Sequence, residues 1–380
     1  MQRRDFLAGA ATGVVVGAGA TYLLSGRKNA GPAPQAESAP AAPAVNSGRR
    51  ELKLVTTWPK DFPGLGTGAQ RFADRVTASS DGRITVKLYA AGELVPAFES
   101  FDAVSKGSAD MYHGAEYYWQ GKHKAFNFFT AVPMGLTASE MDAWLMHGGG
   151  QELWDELAAQ FNLKSLPCGN TGVQMGGWFN KEINSVEDLK GLKMRMPGLG
   201  GEVLRRLGAS AVALPGGEIF PALQSGAIDA TEWVGPWNDL AFGFYKVAKF
   251  YYWPGFHEPG STLGVGINKD VWESFSPADQ QLVTNCAIAE NNGMYAEYNA
   301  KNADALDTLV REHGVQMREF NDELFRAFAM ASEEVLQETA AGDDLSRRTY
   351  ESFREFRRKS MAWGNYADAG YMAKRRLVLG

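Results

Sequence analysis

The sequence is poor in residues that staple a fold, bind soft metals or hold polyanions. Its 380 residues include two cysteines, Cys168 and Cys286, and five histidines. Two isolated cysteines make no disulfide framework and no thiolate zinc site. The histidines are scattered, with no HExxH and no close pair, which argues against a histidine-built transition-metal centre. Basic charge is also short: 38 Lys and Arg face 44 Asp and Glu, for a net charge of −6. Residues 1–50 carry +4 of that balance, so the rest of the chain stands at −10. Such an acidic body does not suit nucleic acid, which needs concentrated Lys and Arg against its phosphates. GxSxG, a Walker A sequence, and a GxGxxG opening a helix after a strand are all missing, which removes the common nucleophile-elbow and nucleotide signatures.

What is present is globular. Hydrophobic residues make up 45% and charged residues 22%, close to folded averages, and the length suits two domains. The 43 glycines exceed the usual share and point to many turns. Residues 1–24 read as an export address. Arg3-Arg4-Asp5-Phe6-Leu7 has the twin-arginine form, and Phe6–Leu24 is uncharged and weakly hydrophobic. Ala18-Gly19-Ala20 offers a cleavage site; an uncleaved anchor is the alternative. Residues 25–49 are rich in Pro and Ala without apolar periodicity, as in an extended linker. The folded body is expected over residues 50–380.

The body alternates β-rich runs with helical spacing. Leu52–Thr57 and Ile84–Tyr89 flank a segment with Ala69, Phe72, Ala73 and Val76 on one helical face. That is a βαβ unit and implies a parallel sheet. Thr137-Ala-Ser-Glu140 is a capping box opening a helix. Lys164–Cys168, Gln174–Phe179, Lys193–Met196, Ile228–Trp233, Lys249–Trp253 and Leu263–Asn268 are further strand candidates. From Ser276-Pro277 a helical pattern runs to Gly314, more than 40 Å at about 1.5 Å per residue and long enough to bridge two lobes. More helix follows over Glu323–Thr339 and Leu345–Arg376. One internal echo supports two lobes: AVSKGSADM at 103–111 resembles ALQSGAIDA at 222–230. Each reads as a helix end, a glycine cap and an Asp before a strand, and each is followed by aromatics. The expected architecture is α/β, with two lobes enclosing a cleft.

Polar residues in apolar strand-edge segments mark that cleft. Arg195 closes Leu192-Lys-Met-Arg-Met-Pro197, where an Arg can hold a carboxylate through its planar fork; an exposed edge arginine is the alternative. Glu232 in ATEWVGP and Glu258 in WPGFHEPG sit among aromatics, where an isolated carboxylate is costly. They pair with Arg, hold a hard cation with an amide oxygen such as that of Gln174, or serve as the acid and base of a glycosidase. Their spacing does not decide between these.

Longer motifs narrow the choice. Ile183–Pro197 (INSVEDLKGLKMRMP) resembles the signature of TRAP (tripartite ATP-independent periplasmic) transporter solute-binding proteins. NTGVQMGGWF at 170–179, DATEWVGP at 229–236, AGELVP at 91–96 and YYWPG at 251–255 are similar to the α-keto-acid-binding branch of that DctP family, which has a lactate-binding relative. The resemblance covers Leu52 to the C-terminus. It implies a two-lobed periplasmic-binding-protein-like fold with a long lobe-spanning helix and a helical C-terminus. It also implies capture of a small monocarboxylate, without catalysis, for delivery to integral membrane permease subunits. By the same resemblance Arg195 binds the ligand carboxylate, and Gln174, Glu232, the Trp233 carbonyl and Glu258 surround Na⁺ or Ca²⁺. Gln174 touches both ion and ligand, and Asn170, Tyr117 and Tyr118 line the pocket. Departures are Trp119-Gln120 in place of Tyr-Trp, and Phe256-His257 in place of Trp-Trp. The expected location is the periplasm by the twin-arginine route, free or tethered, with a homodimer through the C-terminal helices as one assembly. An ABC-type receptor and a two-carboxylate hydrolase remain the alternatives.

Overall fold

A computed structural model describes residues 48–380. The export signal and most of the linker lie outside the described residues. The first lobe begins with β1 (Arg50–Thr56), α1 (Leu65–Ser79) and β2 (Ile84–Tyr89). The next elements are α2 (Ser100–Ser105), β3 (Met111–Gly114), α3 (Ala138–His147), α4 (Gly150–Ala159) and β4 (Leu163–Asn170). The chain then crosses to a second lobe. This comprises β5 (Gly177–Phe179), β6 (Lys193–Arg195), α5 (Gly198–Arg206), β7 (Ser210–Val212), α6 (Gly216–Gln224), β8 (Ala230–Thr231), α7 (Pro236–Phe242) and β9 (Phe250–Trp253). It returns to the first lobe for β10 (Thr262–Asn268), α8 (Lys269–Glu273) and α9 (Pro277–Arg311). It ends with β11 (Gln316–Glu319), α10 (Asp322–Ala340), α11 (Asp344–Gly364) and α12 (Asp368–Leu379).

Two sheets result, ordered β2-β1-β3-β10-β4 and β11-β9-β5-β8-β6-β7. The βαβ unit is present: β1 pairs β2 in parallel from Arg50↔Ile84 to Val55↔Tyr89. The wholly parallel sheet that this unit implied is not. β10 runs antiparallel to β3 and β4, because it is a returning strand inserted between them. Likewise β5 is antiparallel to β8 and β9. Two predicted strands shrink, to Gly177–Phe179 and Ala230–Thr231. Their remaining residues, Gln174 and Glu232 among them, leave the ladder to form the cleft.

The echo has a structural counterpart. Gly107 and Gly226 both take positive φ (77° and 73°), where a Cβ would be strained. After each, an Asp ties its own strand to the strand beside it. Asp110 Oδ2 accepts from the Lys53 amide at 2.7 Å and Asp229 Oδ2 from the Lys193 amide at 3.0 Å. β1–β3 and β6–β8 are thus the same parallel unit built twice, and their aromatic exits meet in the cleft.

Ser276 caps α9 by accepting from the Asp279 amide at 3.1 Å, with Pro277 in its first turn. Its 35 residues run roughly 50 Å. Glu290 pairs with Arg71 of α1, while Tyr298 donates to Asn238 of α7 at 2.7 Å; the helix therefore binds both lobes. α10 packs on α5 and α11 on α3 and α4, a second tie across the molecule. The predicted C-terminal helix is broken at Asn365–Ala367 into α11 and α12. Among the described residues no helix is long and apolar enough to cross a membrane.

Candidate functional site

The chain passes between the sheets through residues 171–176 and 254–261, and these two crossings lie side by side. The Gln174 amide donates to the Glu258 carbonyl at 3.0 Å, and the Gly255 amide to the Gln174 carbonyl at 3.0 Å. A Cβ on Gly255 would stand 2.6 Å from that Gln174 oxygen and 2.9 Å from the Met175 oxygen, so the contact needs glycine. The crossings carry Gln174, His257 and Glu258. The second lobe adds Arg195, at the end of β6, with Glu232 and Trp233 just beyond β8. Parallel pairing sets Arg195 opposite Thr231, which places Arg195 and Glu232 together at the C-terminal ends of adjacent strands. The first lobe contributes Trp58, Tyr117 and Tyr118. A small cavity lined by Trp58, Tyr117, Tyr118, Gln174, Trp233 and Ser261 lies where the lobes meet.

Arg195 is completely buried. Its Nη1 pairs with Glu232 Oε1 and also donates to the Glu232 carbonyl at 3.2 Å, and Nε donates to the Leu214 carbonyl at 3.2 Å. Nη2 meets only the Tyr118 hydroxyl, at 3.5 Å. The sequence left both uses of the fork open, a ligand carboxylate or one of the two glutamates. Half of it is engaged, because a carboxylate as buried as Glu232 needs a cationic partner. Burial opposes the Arg195 charge, but Glu232, Tyr118, Tyr117 and Glu258 together outweigh it and hold the guanidinium above its ordinary range. The group also lies over the Trp233 ring, 5.0 Å from its centroid.

Glu258 accepts from Gln174 Nε2 at 2.8 Å, and that nitrogen is also 3.1 Å from Thr171 Oγ1. Burial, then the neighbouring Glu232 charge, pushes the Glu258 carboxyl up to about 7 against relief from His257, Ser261 and Arg195. Burial likewise pushes the Tyr118 phenol up to about 12. Glu232, His257 and Glu258 present ligand atoms that all lie within 4.8 Å of one another. Glu232 Oε2, Gln174 Oε1 and both His257 ring nitrogens are buried without a hydrogen-bond partner. Two carboxylates that converge on one point, beside an unused amide oxygen on the side chain that donates to Glu258, suit a hard cation, so the donor set fits the ion that the sequence resemblance implied.

The structure thus brings together Gln174, Arg195, Glu232, Trp233, Glu258 and Tyr118. Asn170 differs: its Oδ1 accepts from the Gly172 amide at 2.8 Å and its Nδ2 donates to Thr262 at 3.1 Å. Its side chain shapes the crossing. Sequence reasoning passed over Trp58, Thr171 and His113. Trp58 Nε1 donates to His113 Nδ1 at 2.8 Å, and the other ring nitrogen lies 3.1 Å from the Cys168 carbonyl. Burial lowers the His113 pKa to about 4, leaving a neutral ring that fixes the tryptophan wall. No local pattern marks this contact, since Trp58 and His113 meet only after β1 and β3 pair.

Comparison with known proteins agrees with this layout. The family model described as bacterial extracellular solute-binding protein, family 7 (DctP), matches residues 54–343. The monocarboxylate 2-oxoacid-binding periplasmic protein of Nostoc sp. PCC 7120 is 42% identical over 319 residues, 84% of this chain and 87% of that one. A TRAP periplasmic solute-binding protein of Pseudoalteromonas atlantica T6c, solved with sodium and pyruvate, superposes with TM-score 0.83 at 40% identity, covering 86% of this chain and 99% of that one. A counterpart from Colwellia psychrerythraea, solved with calcium and pyruvate, gives TM-score 0.83 at 41% identity, with coverages of 86% and 99%. With the two lobes, the bridging helix and the buried charge cluster in place, the chain belongs to the DctP family of TRAP solute-binding proteins.

Proposed function

We propose that this chain captures a small monocarboxylate, a 2-oxo or 2-hydroxy acid such as pyruvate or lactate, together with Na⁺ or Ca²⁺, and releases it unchanged to a TRAP permease. The observation that carries the reading is the junction of Arg195, Glu232, Gln174 and Glu258 on the lobe crossings, with Glu232 Oε2 and Gln174 Oε1 unpaired. The relatives solved with pyruvate and sodium or calcium support the same assignment.

Glu232, Glu258, Gln174 and the Trp233 carbonyl are the groups that would hold the cation, whose positive charge offsets the ligand's carboxylate. Arg195 offers its Nη2 to that carboxylate while Nη1 keeps Glu232 in place. The Tyr118 hydroxyl stays protonated and donates. Trp58, Tyr117 and Trp233 exclude water, which strengthens each of these contacts. Because the contacts come from both lobes and the crossings, a bound acid favours closure. The closed surface is what a permease would read. Residues 1–24 would direct twin-arginine export to the periplasm, and residues 25–49 would leave the body free or tethered. Exposed Trp363, Tyr366, Tyr371, Met372 and Leu377 on α11, α12 and the turn between them support a homodimer through the C-terminal helices.

Native mass spectrometry of protein purified without added ligand tests the reading. It should show one small acid and one cation per chain, both lost in Arg195→Ala. Ligand-free protein that also fails to take up pyruvate or lactate contradicts it.

A further inference from the structure

One buried carboxyl group beside the cleft takes no part in the contacts described so far. Asp239, in the first turn of α7, is 1% exposed. Its Oδ2 accepts from Trp178 Nε1 at 3.0 Å and from the Tyr251 hydroxyl at 2.6 Å. Both donors belong to the second-lobe sheet, where Trp178 of β5 pairs with Tyr251 of β9 and the rings stack with centroids 4.1 Å apart. The other oxygen, Oδ1, accepts from the Val234 amide at 3.3 Å. Asp239 therefore ties the segment after β8 to the sheet. That segment carries three successive carbonyls. The Glu232 carbonyl takes the Thr231 hydroxyl at 2.8 Å and Arg195 Nη1 at 3.2 Å, and the Val234 carbonyl takes the Met175 amide at 3.0 Å. Among the described residues none donates to the Trp233 carbonyl between them, although Trp233 is buried and a buried carbonyl ordinarily has a partner.

We propose that Asp239 is a positioning residue for the Na⁺ or Ca²⁺ of the cleft: by holding the Val234 amide it aims the Trp233 carbonyl of the same peptide, without touching the ion. The role rests on the reading that a cation occupies this cluster, and it names the group that sets the direction of one of its oxygens. The carbonyl and the N–H of a trans peptide are coplanar and point opposite ways, and the Trp233–Val234 bond is trans. An N–H held on Asp239 therefore turns the Trp233 oxygen away from α7. Trp233 and Val234 line the cleft cavity with Gln174. Without that hold the peptide would be free to rotate, because β8 ends at Thr231 and α7 starts at Pro236, which leaves residues 232–235 outside any ladder or helix. A carboxylate suits the place, since three donors converge on it and, when ionised, it offers acceptors alone. Partners that hold the ligands of a metal in place commonly matter as much as this, their loss costing about 10–100-fold in metal affinity.

The experiment uses the full chain stripped with a chelator and titrated with Ca²⁺ in the presence of pyruvate. Asp239→Asn keeps the volume, but its single oxygen cannot accept from both Val234 and the Trp178–Tyr251 pair, so the tie between sheet and peptide is lost whichever way the amide turns. Tyr251→Phe removes one sheet donor and leaves the carboxylate on Val234. Asp239→Asn should bind Ca²⁺ at least about tenfold more weakly, whereas Tyr251→Phe should stay within about threefold of wild type although it melts lower. A spectroscopic readout isolates the peptide itself. Trp233–Val234 is the one Trp-Val pair in the chain, so carbonyl-¹³C tryptophan with ¹⁵N valine gives a single amide–carbonyl cross-peak in nuclear magnetic resonance. Its carbonyl shift should move on adding Ca²⁺ in the wild type and stay still in Asp239→Asn at the same Ca²⁺ concentration. Wild-type Ca²⁺ affinity in Asp239→Asn, or losses of affinity that follow melting temperature alike in both variants, overturns the assignment. Ca²⁺-dependent pyruvate binding in the wild type with an unmoved carbonyl removes the role of Asp239 alone. Pyruvate binding that is absent or indifferent to Ca²⁺ in the wild type removes the cation reading, and this role with it.

Discussion

Replacing Arg195 should damage the fold and the binding site by separable amounts. In Arg195→Ala the Glu232 carboxylate loses its Nη1 partner while staying fully buried. Breaking such a pair from one side costs about 3–5 kcal/mol of stability, most of it from the charge left behind. Adding Glu232→Gln removes that charge, so the double variant should recover about 2–3 kcal/mol over Arg195→Ala. Binding should not recover. The ligand carboxylate still lacks its guanidinium, a loss of about 2–5 kcal/mol, or more than 30-fold in affinity. Arg195→Lys keeps a charge but no planar fork and should fall between wild type and Arg195→Ala. Urea unfolding gives the stabilities, and calorimetry with pyruvate gives the affinities. The reasoning fails if Arg195→Ala binds pyruvate like the wild type, or if Glu232→Gln gives no recovery of stability in the Arg195→Ala background.

Other consequences follow from buried groups near the cleft and from the N-terminus. Burial pushes the Glu116 carboxyl up to about 8 despite the Tyr112 hydroxyl that donates to it at 2.9 Å. The folded chain keeps this proton while the unfolded chain releases it near 4.5, so stability falls as pH rises through that window. Glu116→Gln, which stays neutral, should therefore melt higher than wild type at pH 7–8, by up to about 3 kcal/mol at pH 7, and the gain should vanish near pH 4; an equal gain at both pH values would contradict the linkage. Gly255→Ala would push a methyl onto two backbone oxygens and should cost about 1–3 kcal/mol by thermal melting while weakening pyruvate binding; an unchanged melting temperature would show that the crossings do not touch so closely. Residues 1–47 fused to a cargo that must fold before export should give a periplasmic signal, lost in Arg3→Lys/Arg4→Lys; retention of the wild-type fusion in the cytoplasm would refute the export reading.

Much of the architecture was written in local signals. The period of α1, the Ser276 cap of α9 and the Thr137–Glu140 capping box each act within a few residues. The repeated glycine–Asp junctions disclosed the doubled β1–β3 and β6–β8 unit. What stayed hidden depends on non-local partners. β7 and β11 have three and four residues, too few for a period to show, and their pairing is set by neighbours far along the chain. The direction of β10 depends on where the chain re-enters the first lobe. At the site, Arg195, Gln174, Glu232 and Glu258 stood out because charged and polar groups interrupt apolar runs, whereas Trp233 entered only through the resemblance of the longer motifs. Pairing with Arg was one of the options that the sequence left open for the two glutamates, and the β6–β8 register selects Glu232 for it. His257 was visible only as a departure from the motif. Its proximity to Glu232 follows from the crossing that brings residues 254–261 beside β8.

The central claim, a carboxylate held with a cation at the lobe crossings, is tested most directly by one calorimetric comparison. Protein freed of ligand and metal by unfolding in chelator and refolding is titrated with pyruvate, in buffer lacking Na⁺ and divalent ions and again after Ca²⁺ is restored. The account predicts one pyruvate per chain with Ca²⁺ and an affinity at least about tenfold weaker without it. Equal affinity in the two buffers, or no pyruvate binding in either, would contradict it.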